Sequence, residues 1–524
     1  MHRKIGLYYN TIRYLKPEQI FWRIGKHIGS KCALKGVAPS RHPEYRHMFV
    51  LPELDYDTAF LNRFSVEELM HDHVTFLHES DDFSWEGSWH VAGRTPLWNF
   101  NLHYFEYLHP LTKRYQETGD PTILDKTVQM IRGWIRQNPQ RKRGEGWSAY
   151  TISLRLTNWI AYISAVGHDL DGSFRRELEE SMFEQYVYLS KHLEKDLLGN
   201  HFFENLKTLI LCSLFFCDEK SLPVFLLVFR EECRAEILPD GMHFELSPMY
   251  HKIVLEGLLR VVAALWKIQQ YSDAELNCLT QNMLDAAYTM EDGLERIPLF
   301  NDSGDNVAKS LDGLLAAAKN HLRIIPNRKN ALPQSGYYFF ENGPWRLIVD
   351  AGSAGPDYIS GHSHCDAMSF ELYRDGIPYM VNCGTYAYQC PQRHWYRSTE
   401  AHNTVQVMGI EQSEVWSNFR LARRSKTHVL EVLNNGIRME MMDYKGHRIK
   451  REILLRKDSL CIKDCADGLH LQSYLHSVKR ITIDSSPHVE MSEALYAPEY
   501  GLQQTIHQYK FTGIGSVELI VSLT

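Results

Sequence analysis

The 524-residue sequence predicts an α+β multidomain protein, with a helical N-terminal part followed by antiparallel β-structure. Three observations predict it. From about residue 60 to 320, apolar residues recur at three-to-four spacing, with Gly, Pro or Asp between the segments. From about 335 the period falls to two. Between them, near 322–335, PNRKN and LPQSG form a Pro-, Asn- and Gly-rich linker. Three units follow: a basic arm over 1–50, a helical domain over 51–330 and a β domain over 331–524.

The arm carries ten Lys/Arg against two acids, Glu18 and Glu44. Pro17 can open a helix there, placing Ile20, Phe21, Ile24 and Ile28 on one face. Such a helix lies on a membrane surface, draws in polyanions, or packs on its own domain with Lys and Arg solvated. Packing is the expected outcome, because amphipathic helices of this kind are common in globular folds.

Helical segments are expected near 103–118, 121–137, 148–168, 173–196, 201–217, 222–238, 248–271 and 273–290. A succession of helix pairs points to an α/α toroid or a solenoid, although no repeat of fixed period is legible. In the β domain, YYFF and WRLIVD flank Glu341-Asn342-Gly343. THVLEVL and IRMEMM flank Asn434-Asn435-Gly436, and REILLRK and LCIKDC flank Asp458-Ser459. Each pair reads as a hairpin, hence antiparallel β. VELIVSLT is a further strand at the end of the sequence.

At 44% hydrophobic and 23% charged, the chain can build cores, which excludes disorder, a collagen-like repeat and a disulfide miniprotein. A formal net charge of −7 argues against a general nucleic-acid binder, which needs a basic surface to displace counterions. Ten cysteines lack zinc-finger spacing. The N-terminus holds no apolar core of secretory type, and the best apolar run, LLRVVAALW, is broken by Arg260, so no transmembrane segment is expected. The expected compartment is cytoplasmic as the sequence stands, or periplasmic if a leader has been removed. Oligomeric state is not legible.

The densest polar cluster is Gly361-His362-Ser363-His364-Cys365-Asp366. In an extended segment His362 and His364 share a face, a geometry suited to one catalytic imidazole beside one metal ligand. Asn382-Cys383-Gly384-Thr385 and the run from Arg397 to Thr404, with His402, follow. The helical part holds Gly199-Asn200-His201-Phe202-Phe203-Glu204-Asn205, where Asn200 also fits a helix N-cap. It also holds Asp240 to His251, where Tyr250 also fits a core tyrosine with its hydroxyl at the rim. Trp98, Asn99, Asn101, His103, Tyr104, Trp147, Tyr150, Arg155, Asn158 and Trp159 mix rings, amides and an Arg. That combination suits a sugar cleft, and ordinary helix packing explains it equally well.

These clusters, with RYLKPEQIFWRI, WNFNLHYFEYL, GWSAYTISLRLTNW, GNHFFENLKTL, DGMHFELSPMYH, FNDSGD, GHSHCDAMSFELYRDGIPYMVNCGT and RSTEAHNTVQV, resemble the heparinase II/III polysaccharide lyases, including alginate-lyase-like members. The resemblance covers most of the chain. It implies an incomplete α/α toroid followed by a C-terminal antiparallel β-sandwich, with the active site between them. It also implies β-elimination in a uronate-containing glycan, giving a 4,5-unsaturated product, with an anionic polysaccharide or oligosaccharide as the partner.

By motif position, Asn200 resembles the amide that meets the uronate carboxylate, and His201 a base or second carboxylate contact. Tyr250 resembles the acid, and in some members the base too; His362 resembles a β-domain histidine that could share the base role. Trp98, Asn101, Arg155, Asn158, Glu204 and Arg397 are the expected substrate contacts. His364, Asn382 and His402 resemble a structural zinc triad, but Asn382 stands where Asp is expected. An amide oxygen is a weaker, neutral ligand, so much of the zinc affinity should be lost unless Cys365 or Cys383 compensates. Two alternatives stand beside the lyase reading. One is a carbohydrate-binding or processing factor of surface-polysaccharide biosynthesis with little lyase activity; the other is a hydrolase using Glu204 and Glu245 as paired carboxylates.

Overall fold

The computed structural model describes residues 2–29, 31–42, 46, 51–140, 144–485 and 488–523, with side chains from Lys4 onward. Glu44 of the basic arm and the side chain of Arg3 lie outside the described residues. Two helices, α1 (His2–Ile12) and α2 (Pro17–His27), form the arm. The helical domain follows with α3 (Pro96–Tyr104), α4 (Leu108–Thr118), α5 (Pro121–Gln137), α6 (Ala149–Val166) and α7 (Gly172–Leu189). It continues with α8 (Asn200–Phe215), α9 (Leu222–Glu236), α10 (Pro248–Gln269) and α11 (Ala274–Glu291).

Local chemistry sets most of these helix starts. Proline occupies the first turn of α2, α3, α5, α9 and α10, where the missing N–H is one of the donors a helix start leaves unpaired anyway. Thr95, Asp120, Asp171, Ser247 and Asp273 accept from first-turn N–H groups of α3, α5, α7, α10 and α11. α6, α8 and α10 are buried along most of their length, α8 packing between α6 and α10 in the middle of the toroid. One apolar core joins residues from Cys32 to Ala318.

The helical domain's last turn ends at Leu322 and the large sheet begins at Ala331. The predicted hairpins are present as β1 (Tyr337–Asn342) with β2 (Trp345–Asp350), β5 (Lys426–Leu433) with β6 (Gly436–Met442), and β7 (Arg448–Leu455) with β8 (Ser459–Ser477). β3 (Phe370–Arg374) and β4 (Ile377–Met380) continue the sheet from β2, and β9 (Val489–Glu499) pairs with β10 (Leu502–Ser522). All these pairings are antiparallel. The long strands β8 and β10 pair over most of their length and carry the chain from one layer to the other. Leu347 and Val349 of β2 share a core with Ile437, Met439, Ile453 and Phe511 from β6, β7 and β10, so two layers face one another as a sandwich.

The arm departs from expectation. α2 is present where Pro17 predicts it, but the face that meets the protein carries Gln19 and Gly25, and the apolar face is turned outward. Ile20 is 37% exposed, Phe21 65%, Ile24 59% and Ile28 76%. The arm is anchored by polar bonds, with Trp22 packed against the helical core and Tyr8 edge-on to Trp416. Gln19 Nε2 donates to the Leu197 and Tyr358 carbonyls, Arg23 donates to the Asp196 carbonyl, and Trp416 donates to Thr11 of α1. The arm thus bridges helical domain and sandwich. Among the described residues no helix is long and apolar enough to cross a membrane.

Candidate active site

A cavity of about 970 Å³ lies where toroid, sandwich and arm meet. Asn200, His201, Tyr250 and His362 all line it, so residues drawn from three distant motifs share one wall.

Gly199, with φ +59, precedes α8 and fills the N-cap position that Asn200 was expected to hold. A Cβ there would lie 2.6 Å from Ile359 and 2.7 Å from the Glu245 carboxylate, so only glycine brings α8 this close. Asn200 is therefore the first helical residue. Its N–H donates to Glu245 Oε1 at 3.3 Å while its side chain lines the cavity. One residue on, His201 Nδ1 lies 3.3 Å from Glu194 Oε1, which is itself oriented by Asn205. Burial pushes the His201 imidazole down, but the neighbouring Glu194 outweighs it and leaves the group raised above its ordinary value.

Tyr250 is the third residue of α10. Ser247 caps that helix through the Tyr250 N–H and donates its own hydroxyl to the Asp302 carbonyl at 2.7 Å. The Tyr250 hydroxyl lies 2.6 Å from that of Tyr388, which is 2.8 Å from that of Tyr500. Burial pushes the Tyr250 phenol well above its ordinary value, so it holds its proton. The His362 ring lies against the Tyr250 ring, with centroids 4.0 Å apart.

His362 and His364 occur in an irregular loop rather than a strand, yet both turn to one carboxylate. Asp302 Oδ2 takes His362 Nδ1 at 2.9 Å, and Asp302 Oδ1 takes His364 Nε2 at 2.8 Å. Arg393 pairs with both oxygens and Thr385 donates to Oδ1. Burial opposes the Asp302 charge, but Arg393 and the two imidazoles hold the carboxyl well below its ordinary range. With Nδ1–H directed to Asp302, His362 has Nε2 available to exchange a proton, 3.5 Å from Glu245 Oε2.

Three expected substrate contacts are instead structural. Trp98 is wholly buried, edge-on to Phe76, and donates to the Glu79 carbonyl. Arg155 is wholly buried over Trp134 and donates to Gln185 and the Gly146 carbonyl. Arg397, also buried, holds the Ser363 carbonyl with two nitrogens and so braces the loop between His362 and His364. Asn101, Asn158 and Glu204 do line the cavity, but the Asn158 amide is engaged at both ends, by His109 and the Tyr104 carbonyl. Glu204 is paired to Lys207 at 2.5 Å. The cations at the cavity wall include Arg63, Lys207, Lys309, Arg420 and Arg424; of these five only Lys207, within GNHFFENLKTL, stands in a motif. Lys309 is buried against the Phe60 ring, and burial pushes its ammonium down to about 8.

His364 and His402 do meet, with Nδ1 and Nε2 3.2 Å apart. The other nitrogens face Asp302 and the Ser398 carbonyl. Asn382 does not complete a metal site: its oxygen accepts the Asn403 N–H at 3.1 Å and its amide nitrogen has no hydrogen-bond partner. Burial raises the Cys365 and Cys383 thiols well above their ordinary values, so neither is a ready thiolate. Among the described residues no group of three His, Cys, Asp or Glu is placed to hold a metal. Two imidazoles and an engaged amide do not fit structural zinc, which takes four donors. Metal analysis of the purified protein is expected to give well under one zinc per chain, and Asn382→Asp to raise that occupancy. One tightly held zinc in the unaltered chain would refute this.

A toroid and a sandwich meeting over a cleft with an amide, a phenol and two imidazoles define a class of two-domain α/α-toroid proteins. The chain belongs to the heparinase II/III family. The model "Heparinase II/III N-terminus" matches residues 56–332, and "Heparinase II/III-like, C-terminal" matches residues 325–495. It is similar to a heparin-sulfate lyase of Pedobacter heparinus, 22% identical over 62% of this chain and 53% of that one. It is also similar to one of Bacteroides stercoris, 22% identical over 65% and 60% respectively. The matched region thus spans little more than half of those relatives. Among solved structures, heparinase III has a TM-score of 0.67 at 15% identity, covering 96% of this chain and 90% of that one. A chondroitin AC lyase of Streptomyces coelicolor has 0.52 at 11%, covering 97% and 82%.

Proposed function

We propose that the protein is a polysaccharide lyase that breaks a uronate-containing glycan by β-elimination. The observation that carries this reading is the convergence of Asn200, His201, Tyr250 and His362 on one cavity wall, with Asp302 orienting His362. Each step has a group suited to it. The Asn200 amide and the His201 imidazole receive the C6 carboxylate and stabilise the charge that develops there when C5 loses its proton. A base takes that proton, and His362 Nε2 is the placed candidate. The electron pair forms the C4–C5 double bond as C4–O4 breaks, and Tyr250, which burial keeps protonated, delivers its proton to the departing O4. No water is consumed. Cations around the wall suit a substrate with further negative charge.

The hydrolase reading has no support in this geometry. Glu204 is tied to Lys207, and Glu245 faces the Asn200 N–H and His362. The test is incubation with heparan sulfate, alginate, hyaluronan, chondroitin and bacterial capsular polymers while the ultraviolet absorbance of the conjugated product is followed. A rise with one of them is expected. Saturable binding with no absorbance change would instead indicate a binding factor, and new reducing ends without absorbance a hydrolase.

A further inference from the structure

The elimination reaction leaves the outward face of the arm unused. Along α2 and its C-cap, Ile20, Ile24 and Ile28 follow one another at four-residue spacing with Phe21 beside them, and all four are exposed. α1 presents a second stripe, with Ile5 57%, Tyr9 67% and Ile12 47% exposed. Exposed apolar residues scattered singly are ordinary, but two helices that each direct a whole stripe to solvent require an occupant. The opposite side of α2 is held by Gln19 and Arg23, which reach the Leu197, Tyr358 and Asp196 carbonyls, so the arm is fixed with its apolar side outward.

The charge around the stripes identifies that occupant. Residues 4–42 hold eight Lys/Arg and a single acid, Glu18, in a chain whose net charge is −7. Lys4, Lys31 and Lys35 are exposed. We infer that α1 and α2 dock on an anionic lipid surface, the apolar stripes entering the headgroup–acyl boundary and the flanking cations meeting lipid phosphates. A second copy of the chain suits this surface poorly, because an isologous contact would bring the same cations face to face. Docking of this kind lies on the membrane and does not span it. Since Thr11, Leu15, Gln19 and Arg23 of the same arm line the cavity, it would also hold the cleft next to the lipid surface.

The test is co-sedimentation of the full chain with vesicles of equal parts phosphatidylglycerol and phosphatidylcholine, and with phosphatidylcholine alone. Binding is expected only to the anionic vesicles, with release by high salt. Phe21→Ser/Ile24→Ser/Ile28→Ser, which alters only exposed side chains, should weaken it at least tenfold, and Lys31→Glu/Lys35→Glu several-fold. Unfolding of both variants at the temperature of the unaltered chain would show the loss to be one of docking. No sedimentation with anionic vesicles, or equal binding by the triple-serine variant, would overturn the inference. So would light scattering that finds a dimer converted to monomer by that variant, which would make the stripes a contact between copies.

Discussion

Tyr250→Phe is expected to lower turnover by roughly 10²- to 10⁴-fold, the usual contribution of a positioned general acid, with the fold intact. In the proposed elimination the hydroxyl protonates the departing oxygen, and burial keeps it protonated. Its removal leaves the ring against His362 and leaves Tyr388 bonded to Tyr500. The structural loss is therefore one hydrogen bond, about 1 kcal/mol. The measurement is the rate of product absorbance on the best substrate, alongside thermal unfolding. Turnover at the unaltered rate would remove Tyr250 from the reaction, whatever the family to which the chain belongs.

Asp302→Asn should damage both catalysis and stability. The carboxylate binds His362, His364, Thr385 and Arg393 together, and an amide can satisfy only part of that set. Arg393, fully buried, would lose its counter-charge, and breaking a buried pair from one side costs about 3–5 kcal/mol. Turnover should fall by up to roughly 10⁴-fold, the scale observed when the carboxylate orienting a catalytic imidazole becomes an amide. Because the folded Asp302 is held below the ordinary carboxyl value of 3.8, its contribution is complete above that pH and fades only as acid protonates the folded group. A variant that melts earlier but turns over normally once folded would make Asp302 purely structural.

The helices were legible because each writes its apolar stripe at its own period, and caps and prolines mark their ends within a few residues. The hairpins were legible for the same local reason. Asn200, His201, Tyr250 and His362 were named by their motifs, and the fold brings all four to one cavity. Trp98, Arg155 and Arg397 were misplaced because a ring or a guanidinium looks the same in sequence whether it meets a sugar or a neighbouring carbonyl. Asp302 stood in plain view within FNDSGD, but its role needs His362, 60 residues away, and Arg393, 91 residues away. Tyr388 had no sequence signal, since its partner Tyr250 lies 138 residues earlier.

By itself the sequence determined the order of helices and strands, the family, and four polar residues to look for at a site, because periodicity and motif spacing are properties of near neighbours. The tertiary structure decided which charged side chains reach the cleft, that Asp302 serves two histidines and an arginine, and that Asn382 is engaged elsewhere. It also decided that the apolar face of α2 points outward. Each of these depends on burial, and burial is set by what segments hundreds of residues apart place against one another, as Gln19 and the Tyr358 carbonyl do across 339 positions.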